Sequence, residues 1–246
     1  MPKNLQNWQK LEVGVIVFVL ALIFLNVVTM CEARGQPAME RYQSCVLFEN
    51  DWYEGKTAAQ KEISNREQFL DHIYALDKNK YKAVHKMFGS RNEANQLINL
   101  IQRISAEHRI PVSVIFSQLI IESAWMDSRL FKKGNNGFCI KYYKSKPVPA
   151  YIKEASGRPM NIHDDNPDDL FWTYDDFITS LSHYGWFVNR DHYQKHIDDR
   201  YNFWEWTNAL RKGGYATNKE YQQKMIRLNR KYKLYLLNIN WDTIGT

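Results

Sequence analysis

The residues best suited to chemistry lie in an apolar stretch, residues 111–126. Gln118, Glu122 and Trp125 are spaced i, i+4 and i+7, so on a helix they would share one face. Most other positions in the stretch are apolar, and a helix that is apolar all round is usually the buried axis of a domain. The pattern therefore predicts a carboxylic acid near the end of a buried helix, beside an indole ring.

Glu122 is the natural proton donor in this arrangement. An ionised carboxylate without a partner is costly in an apolar environment, and the C-terminal end of a helix repels negative charge. Both effects favour the neutral, protonated acid, which is the form that a general acid must have. We interpret Glu122 as a candidate general acid. The alternative is a structural glutamate with a partner in the core.

Composition narrows the class of partner. The chain of 246 residues has a formal net charge of +6 and is rich in aromatic residues. Positive charge favours an anionic partner, and amphipathic rings suit sugar-binding grooves. Because no run of Lys and Arg is typical of a DNA-reading element, bacterial cell wall or an acidic membrane surface is favoured over nucleic acid.

The three cysteines and seven histidines show no metal-ligand spacing. The sequence does not decide whether Cys45 and Cys139 form a disulfide. We expect no metal and no organic cofactor.

The N-terminal segment predicts export. Residues 13–30 carry no charge and follow Lys3 and Lys10, a pattern typical of a membrane-spanning helix whose N-terminus stays in the cytoplasm. A cleaved signal peptide is the alternative. We expect a membrane anchor over residues 1–31, a linker over 32–63 and a domain over 64–240. The domain would lie on the periplasmic or extracellular side.

The remaining pattern is mainly helical, with a small β-hairpin insertion. S-x-x-E capping boxes predict helix starts, and glycines predict one helix end. Turn residues at 134–137 precede a predicted short strand over 138–143, and an irregular segment follows over 144–169. We expect a mainly α domain around the buried central helix. The predicted starts are at Ser64, Ser90, Thr173 and Thr217, and the predicted end is at Gly213-Gly214.

An ordered series of short motifs runs from Ile121 to Thr217. The motifs are Ile121-Glu122-Ser123-Ala124-Trp125, Ser128-Arg129-Leu130, Asn135-Asn136-Gly137-Phe138, Phe171-Trp172-Thr173-Tyr174 and Gly214-Tyr215-Ala216-Thr217. This series resembles the glucosaminidase family of bacterial cell-wall hydrolases, glycoside hydrolase family 73, which includes autolysins, flagellar peptidoglycan hydrolase domains and Bax-like proteins. The resemblance covers about residues 96–236.

The resemblance implies a lysozyme-like α+β fold and hydrolysis of the β-1,4 bond between N-acetylglucosamine and N-acetylmuramic acid in peptidoglycan glycan strands. It places the acid on Glu122 and a further catalytic residue on Tyr215. Such hydrolysis normally uses two carboxyl groups. We expect the second at Glu154, in a hairpin, with Asp165 as its competitor.

The expected substrate contacts come from the same motifs. They are Gln118, Trp125, Asn136, Phe138 and Asp165, although Trp125 and Phe138 could instead close the core. Family members usually read N-N-L-F-G-I-K, whereas this chain has Gly137 and Cys139 within that motif. We expect the side chain of Cys139 to crowd the wall of the cleft.

Two other functions fit parts of the pattern. A lytic transglycosylase would use Glu122 alone as acid and base, but the stretch after Asn135 lacks the G-L-M-Q-type continuation of that group. A wall-binding scaffold without catalysis is the second alternative, and the intact Glu122 and Tyr215 argue against it.

Overall fold

The computed structural model describes residues 56–162, 168–216, 218 and 220–241. The predicted membrane anchor, Cys31, Cys45, Asp165 and Thr217 lie outside the described residues. Within the described part of the chain, no helix is both long and apolar enough to cross a membrane.

The described residues form a mostly helical domain with one small hairpin, as predicted. A 3-10 helix, Leu234–Leu237, follows the last α-helix. In chain order the elements are α1 (Lys56–Tyr74), α2 (Lys82–Phe88), α3 (Arg91–His108), α4 (Val112–Glu122), α5 (Arg129–Gly134), α6 (Ala150–Glu154), β1 (Met160–Asn161), β2 (Leu170–Phe171), α7 (Phe177–Val188), α8 (Asp191–Gln194), α9 (Phe203–Lys212) and α10 (Tyr221–Lys231).

Helix α4 is the buried axis of the domain. Its first nine residues, 112–120, are all buried, because helices α3, α9, α10 and the 3-10 helix pack around it. The prediction of a buried central helix is confirmed. Its end differs: α4 stops at Glu122, and the next turn is left-handed. The apolar pattern continues past this point because the turn is also partly buried, so hydropathy alone could not locate the helix end.

The hairpin is smaller than expected. Strands β1 and β2 are antiparallel, with Met160 opposite Phe171 and Asn161 opposite Leu170. Residues predicted as a strand over 138–143 contribute one bridge, between Lys141 and Phe171. The backbone around them turns through Asn135 and Cys139, both at positive φ, which prevents a longer strand.

Local capping explains which predicted helix boundaries hold. Ser90 and Glu93 form a reciprocal capping box at α3, as predicted. Helix α9 ends before Gly213, also as predicted, and Gly214 takes a positive φ of 79°. The predicted start at Ser64 is wrong, because α1 already begins at Lys56 within the expected linker.

The predicted cap of α7 at Thr173 is also wrong. Asp176 caps this helix and accepts a hydrogen bond from the backbone N–H of Thr179 at 2.8 Å. The Thr173 hydroxyl instead donates to the carbonyl of Arg158 at 2.9 Å. Thr173 thus helps to hold the segment before β1 against the segment after β2.

Candidate active site

The carboxyl group of Glu122 meets the hydroxyl of Tyr221 where α4 ends and α10 begins. Tyr221 donates to Oε1 of Glu122 at 2.6 Å. Gln118, one turn before Glu122, donates from Nε2 to the same tyrosine oxygen at 3.1 Å. Tyr184 of α7 donates to Oε1 of Gln118. Gln118 and Glu122 therefore share a helix face, and that face is directed at Tyr221.

The order of donors fixes where the Tyr221 proton goes. The hydroxyl of Tyr184 donates to Gln118, so the amide oxygen of Gln118 faces Tyr184 and its NH₂ group faces Tyr221. The oxygen of Tyr221 accepts from that NH₂ group, and its single proton is directed at Glu122. One carboxyl oxygen of Glu122, Oε1, thus has a fixed donor.

These tyrosines remain protonated donors. The pKa of Tyr221 is raised well above its ordinary value, mainly by burial and next by the charge of Glu122. Burial is also the main cause that raises the pKa of Tyr184. Desolvation followed by the Glu122 charge raises the pKa of Tyr215. Glu122, which is half-buried, is thus the carboxyl group beside a cluster of neutral tyrosine hydroxyls.

A left-handed turn directly after Glu122 holds the end of α4. Ala124, Trp125 and Met126 have φ angles of 50°, 63° and 61°, a conformation that L-residues adopt at a cost. Ser123 is fully buried and stabilises the turn. Its hydroxyl donates to the carbonyl of Leu119 at 2.5 Å and accepts from the N–H of Met126 at 2.7 Å.

The turn moves Trp125 away from its expected position. Because α4 ends at Glu122, the i+7 spacing from Gln118 no longer places the indole on the same face, so that prediction is wrong. The Trp125 ring instead packs edge-on against Tyr232, with centroids 5.0 Å apart. Trp125 is half-buried there, and its role in substrate binding stays a prediction.

Tyr215 lies next to Glu122 but bonds a different group. Its hydroxyl donates to the carbonyl of Phe138 at 2.6 Å, and its ring lies 6.3 Å from that of Tyr221. Phe138 is fully buried and stacks on Tyr184 at 4.0 Å. The stacking favours the core alternative for Phe138. Tyr215 holds the loop backbone beside the acid, and its catalytic role stays a prediction.

The loop over residues 135–141 is organised by Asn136. This side chain is fully buried and uses both ends of its amide. Its Nδ2 donates to the carbonyls of Ile140 and Trp172, and its Oδ1 accepts from the backbone N–H groups of Phe138 and Ile140. These contacts give Asn136 a structural role, and its assignment to substrate binding remains a prediction.

The structure explains the departure from the usual family motif at Gly137 and shows where the departure at Cys139 places its side chain. A Cβ atom at Gly137 would lie 2.8 Å from Leu119 and 2.9 Å from Phe177, so a side chain would collide there. Cys139 has a φ of 50°, the region that favours glycine, which explains the glycine usual at this position. Its thiol contacts the carbonyl oxygen of Glu122 at 3.2 Å. Cys139 is therefore part of the wall beside the acid.

The candidates for a second carboxylate lie in or near the hairpin region. Glu154 is the exposed last residue of helix α6, so the prediction that it lies in a hairpin is wrong. Residues directly after it pair with the segment after β2, through the Ser156–Tyr174 bridge. Asp165 lies outside the described residues. Among the described hydrogen bonds and ion pairs, none joins Glu154 to Glu122, and its catalytic role stays a prediction.

Tyr221 and Tyr184 are functional candidates that sequence reasoning missed. Their helical spacing indicated core positions, and both are indeed buried. The available signal for Tyr221 was its place shortly after the Gly214-Tyr215-Ala216-Thr217 motif. Of the described residues, no group of three or more His, Cys, Asp or Glu side chains is arranged to hold a metal ion.

Comparison with known proteins identifies the family. The glucosaminidase family, described as mannosyl-glycoprotein endo-beta-N-acetylglucosaminidase, matches residues 98–234, which is more than half of the chain. The exo-glucosaminidase LytG of Bacillus subtilis (strain 168) is 33% identical over 135 residues. These cover 52% of this chain and 45% of LytG, so the chain matches less than half the length of this curated relative.

Two solved structures resemble the fold weakly. The catalytic domain of the autolysin Auto from Listeria monocytogenes has a TM-score of 0.46 at 19% identity, covering 70% of this chain and 96% of that one. A peptidoglycan hydrolase from Sphingomonas sp. A1 has a TM-score of 0.45 at 20% identity, covering 55% and 86%. The assignment rests on the sequence match, which spans the helix of Glu122, the hairpin and the helix of Tyr221. The chain belongs to the glucosaminidase family of glycoside hydrolases.

Proposed function

We propose that this chain hydrolyses peptidoglycan at the β-1,4 bond between N-acetylglucosamine and N-acetylmuramic acid, with Glu122 as general acid. The observation that carries the proposal is the Tyr221–Glu122 hydrogen bond within a family whose members are glucosaminidases. The names of LytG and of the two structural neighbours, an exo-glucosaminidase, an autolysin and a peptidoglycan hydrolase, support this substrate class.

The geometry suits proton donation to a leaving group. Glu122 Oε2 would protonate the glycosidic oxygen, while Tyr221 keeps its hydrogen bond to Oε1. As the carboxylate forms, this hydrogen bond becomes charge-assisted and therefore stronger. The buried Gln118 and Tyr184 keep Tyr221 in the donating orientation. A second carboxylate, Glu154 or Asp165, would then activate water or attack the anomeric carbon.

We further propose that this reaction takes place outside the cytoplasm, with residues 1–31 anchoring the chain in the membrane. The uncharged segment 13–30 and the preceding lysines support this topology.

The chemical identity of the fragments tests the proposed bond. Peptidoglycan is digested with the purified chain, and the products are analysed by mass spectrometry. We expect reducing N-acetylglucosamine ends. Anhydromuramic ends would show a lytic transglycosylase instead, and binding without any fragment would show a wall-binding scaffold.

The Glu122→Gln variant tests the acid itself. The amide keeps the size and most polar contacts but removes the transferable proton, so cleavage should fall by about a hundred- to ten-thousandfold. The thermal unfolding midpoint should stay close to that of the wild type, because no cavity is created. Cleavage retained within a factor of a few would reduce Glu122 to a structural residue.

A further inference from the structure

Helix α7 carries the tyrosine that begins the hydrogen-bond chain to the acid. His183, Tyr184 and Gly185 are consecutive residues of this helix, and all three are buried. The hydroxyl of Tyr184 donates to Gln118, and Gln118 in turn donates to the tyrosine that bonds the acid. A displacement of α7 would therefore remove the first donor of this chain.

His108, the last residue of α3, packs directly on the backbone of α7. A Cβ atom on Gly185 would lie 2.2 Å from Cδ2 and 2.6 Å from Nε2 of His108, so the imidazole occupies the space that a side chain would need. The backbone carbonyl of His108 accepts from Nδ2 of Asn189 at 3.0 Å and from Nη1 of Arg200 at 3.3 Å. Both the ring and the carbonyl of His108 thus join α3 to the second half of α7.

The surroundings of the His108 ring favour its neutral form. Its Nε2 is buried and has no hydrogen-bond partner within the described part of the chain, so a protonated ring would hold a charge there without an acceptor. The charged groups near it are Glu107, Arg109 and Arg200. Glu107 lies 3.7 Å from Nε2, but its side chain is 60% exposed, so solvent screens the attraction. Burial is the main cause that lowers the pKa of His108, and Glu107 opposes it.

His183 is a second neutral ring, and it lies on α7 itself. The residue is 1% exposed, and its Nδ1 lies 2.8 Å from the hydroxyl of Tyr174. Trp172 and Trp186 pack against the imidazole, with ring centroids 5.4 Å and 5.7 Å away. Burial, followed by repulsion from the facing Arg190, lowers the pKa of His183 to about 3. The packed α7 therefore excludes a proton that an exposed histidine would bind near pH 6.5.

We propose that His108 and His183 are an acid-sensitive pair: protonation of either ring below neutral pH displaces α7 and removes Tyr184 from the hydrogen-bond chain to the acid. A histidine whose pKa is lowered in the folded state contributes stability that is complete above about pH 6.5 and is lost as the pH falls towards the lowered value. Displacement of α7 would let both rings take up the proton that the packed helix excludes. The link to the acid rests on the proposed function, whereas the displacement itself involves no substrate.

Hydrogen exchange of the full chain without substrate measures this displacement. Protection is compared at pH 7 and pH 5 by mass spectrometry, after correction for the intrinsic pH dependence of exchange. For a ring with an ordinary pKa of about 6.5 and a folded pKa of about 3, we expect a roughly thirtyfold loss of protection in α7 at pH 5. Helix α1, which packs on α2 and the 3-10 helix, should keep its protection. An unchanged α7, or an equal loss in α1 and α7, would overturn the proposal.

Single substitutions separate the two rings. His108→Gln and His183→Gln each remove one titrating group, so the difference in α7 protection between the two pH values should shrink in each variant. The matched control is His72→Gln, which changes a half-buried histidine of α1 whose Nε2 bonds the carbonyl of Lys231 at 2.9 Å. This control should keep the full difference. The same full difference in both His108→Gln and His183→Gln would contradict the proposal.

The wild-type protein provides the test if a substitution prevents folding. In NMR spectra of the folded chain, the His183 ring signals should remain those of a neutral imidazole from pH 8 to pH 5, and they should lose intensity only as α7 opens. A His183 ring that takes up its proton near pH 6.5 while α7 stays protected would overturn the proposal.

Peptidoglycan cleavage tests the link to the acid. The rate at pH 5 relative to pH 7 should rise in a variant whose α7 stays protected at pH 5. A ratio equal to that of the wild type in such a variant would overturn the link. Absence of cleavage at both pH values in the wild type would contradict the proposed function instead, and the exchange result would still decide whether the pair holds α7.

Discussion

At the scale of single residues, the hydroxyl of Tyr221 is the group that donates to the carboxyl of Glu122. It donates to one carboxyl oxygen, and its own orientation is fixed by Gln118. A hydrogen bond to a charged group is worth about 1.5–3 kcal/mol. The site therefore depends on a tyrosine that never needs to ionise.

Tyr221→Phe should lower kcat roughly ten- to hundredfold, because the carboxylate formed after proton transfer loses its donor. A donor to the carboxylate favours the ionised form, so its removal favours the protonated acid. The alkaline limb of the pH–rate profile should then move to higher pH. Tyr235→Phe is the matched control, since Tyr235 is 50% exposed. An unchanged profile in Tyr221→Phe would contradict this role.

The second carboxylate can be identified by paired substitutions. Glu154→Gln should lower turnover severely if this residue activates water or attacks carbon, while binding to the cell wall persists. Asp165→Asn should then be nearly neutral. The reverse result would transfer the role to Asp165. Activity in both variants would show that the reaction does not use a carboxylate from this pair.

At the scale of secondary structure, the left-handed turn after α4 fixes the end of the helix that carries Glu122. Three consecutive residues at positive φ store strain that the surrounding contacts must offset. Ser123 contributes through its two hydrogen bonds. Asp127, directly after the turn, contributes through hydrogen bonds to Lys132 and Lys86, which hold its pKa at about 2.

Ser123→Ala should destabilise the domain by about 1–3 kcal/mol, because the partly buried N–H of Met126 would lose its acceptor and the buried hydroxyl its bond to Leu119. Activity should also fall, since the residue before the turn is Glu122. Denaturant unfolding and kcat measure the two effects.

Ser117→Ala provides the matched comparison on the same helix. Ser117 is also fully buried, and its hydroxyl donates only to the carbonyl of Ser113 in the described bonds, so no N–H is orphaned. Its cost should stay within about 1 kcal/mol, with normal kcat. Equal losses at the two serines would show that the turn has no special dependence on Ser123.

At the scale of the whole molecule, net charge bears on the class of partner, and the uncharged N-terminal segment bears on the proposed topology. The net charge of +6 favours an anionic polymer, and surface attraction of this kind weakens as salt increases. The uncharged segment 13–30 and the basic residues before it favour an anchored domain outside the cytoplasm.

A reporter that is active only in the cytoplasm tests this topology when it is fused after Thr246. It should be silent, because the segment 13–30 would carry the rest of the chain across the membrane. A fusion placed before residue 13 is the control and should be active. A strong signal from the fusion after Thr246 would contradict the proposed topology.

The sequence by itself determined the buried central helix, the position of Glu122 near its end and the family. These features depend on local patterns, namely an apolar run interrupted at Gln118 and Glu122 and an ordered set of short motifs. The capping box at Ser90 and the stop at Gly213 were also predictable, because a cap is formed by residues within one turn of each other.

Only the tertiary structure decided which groups meet the acid. Tyr221 lies 99 residues from Glu122 in the chain and Tyr184 lies 66 from Gln118, so no local pattern could pair them. The displacement of Trp125 depends on a left-handed turn stabilised by a buried hydroxyl, which hydropathy does not encode. Helical periodicity marked Tyr221 as a core residue, and the fold makes the same buried ring a donor to Glu122.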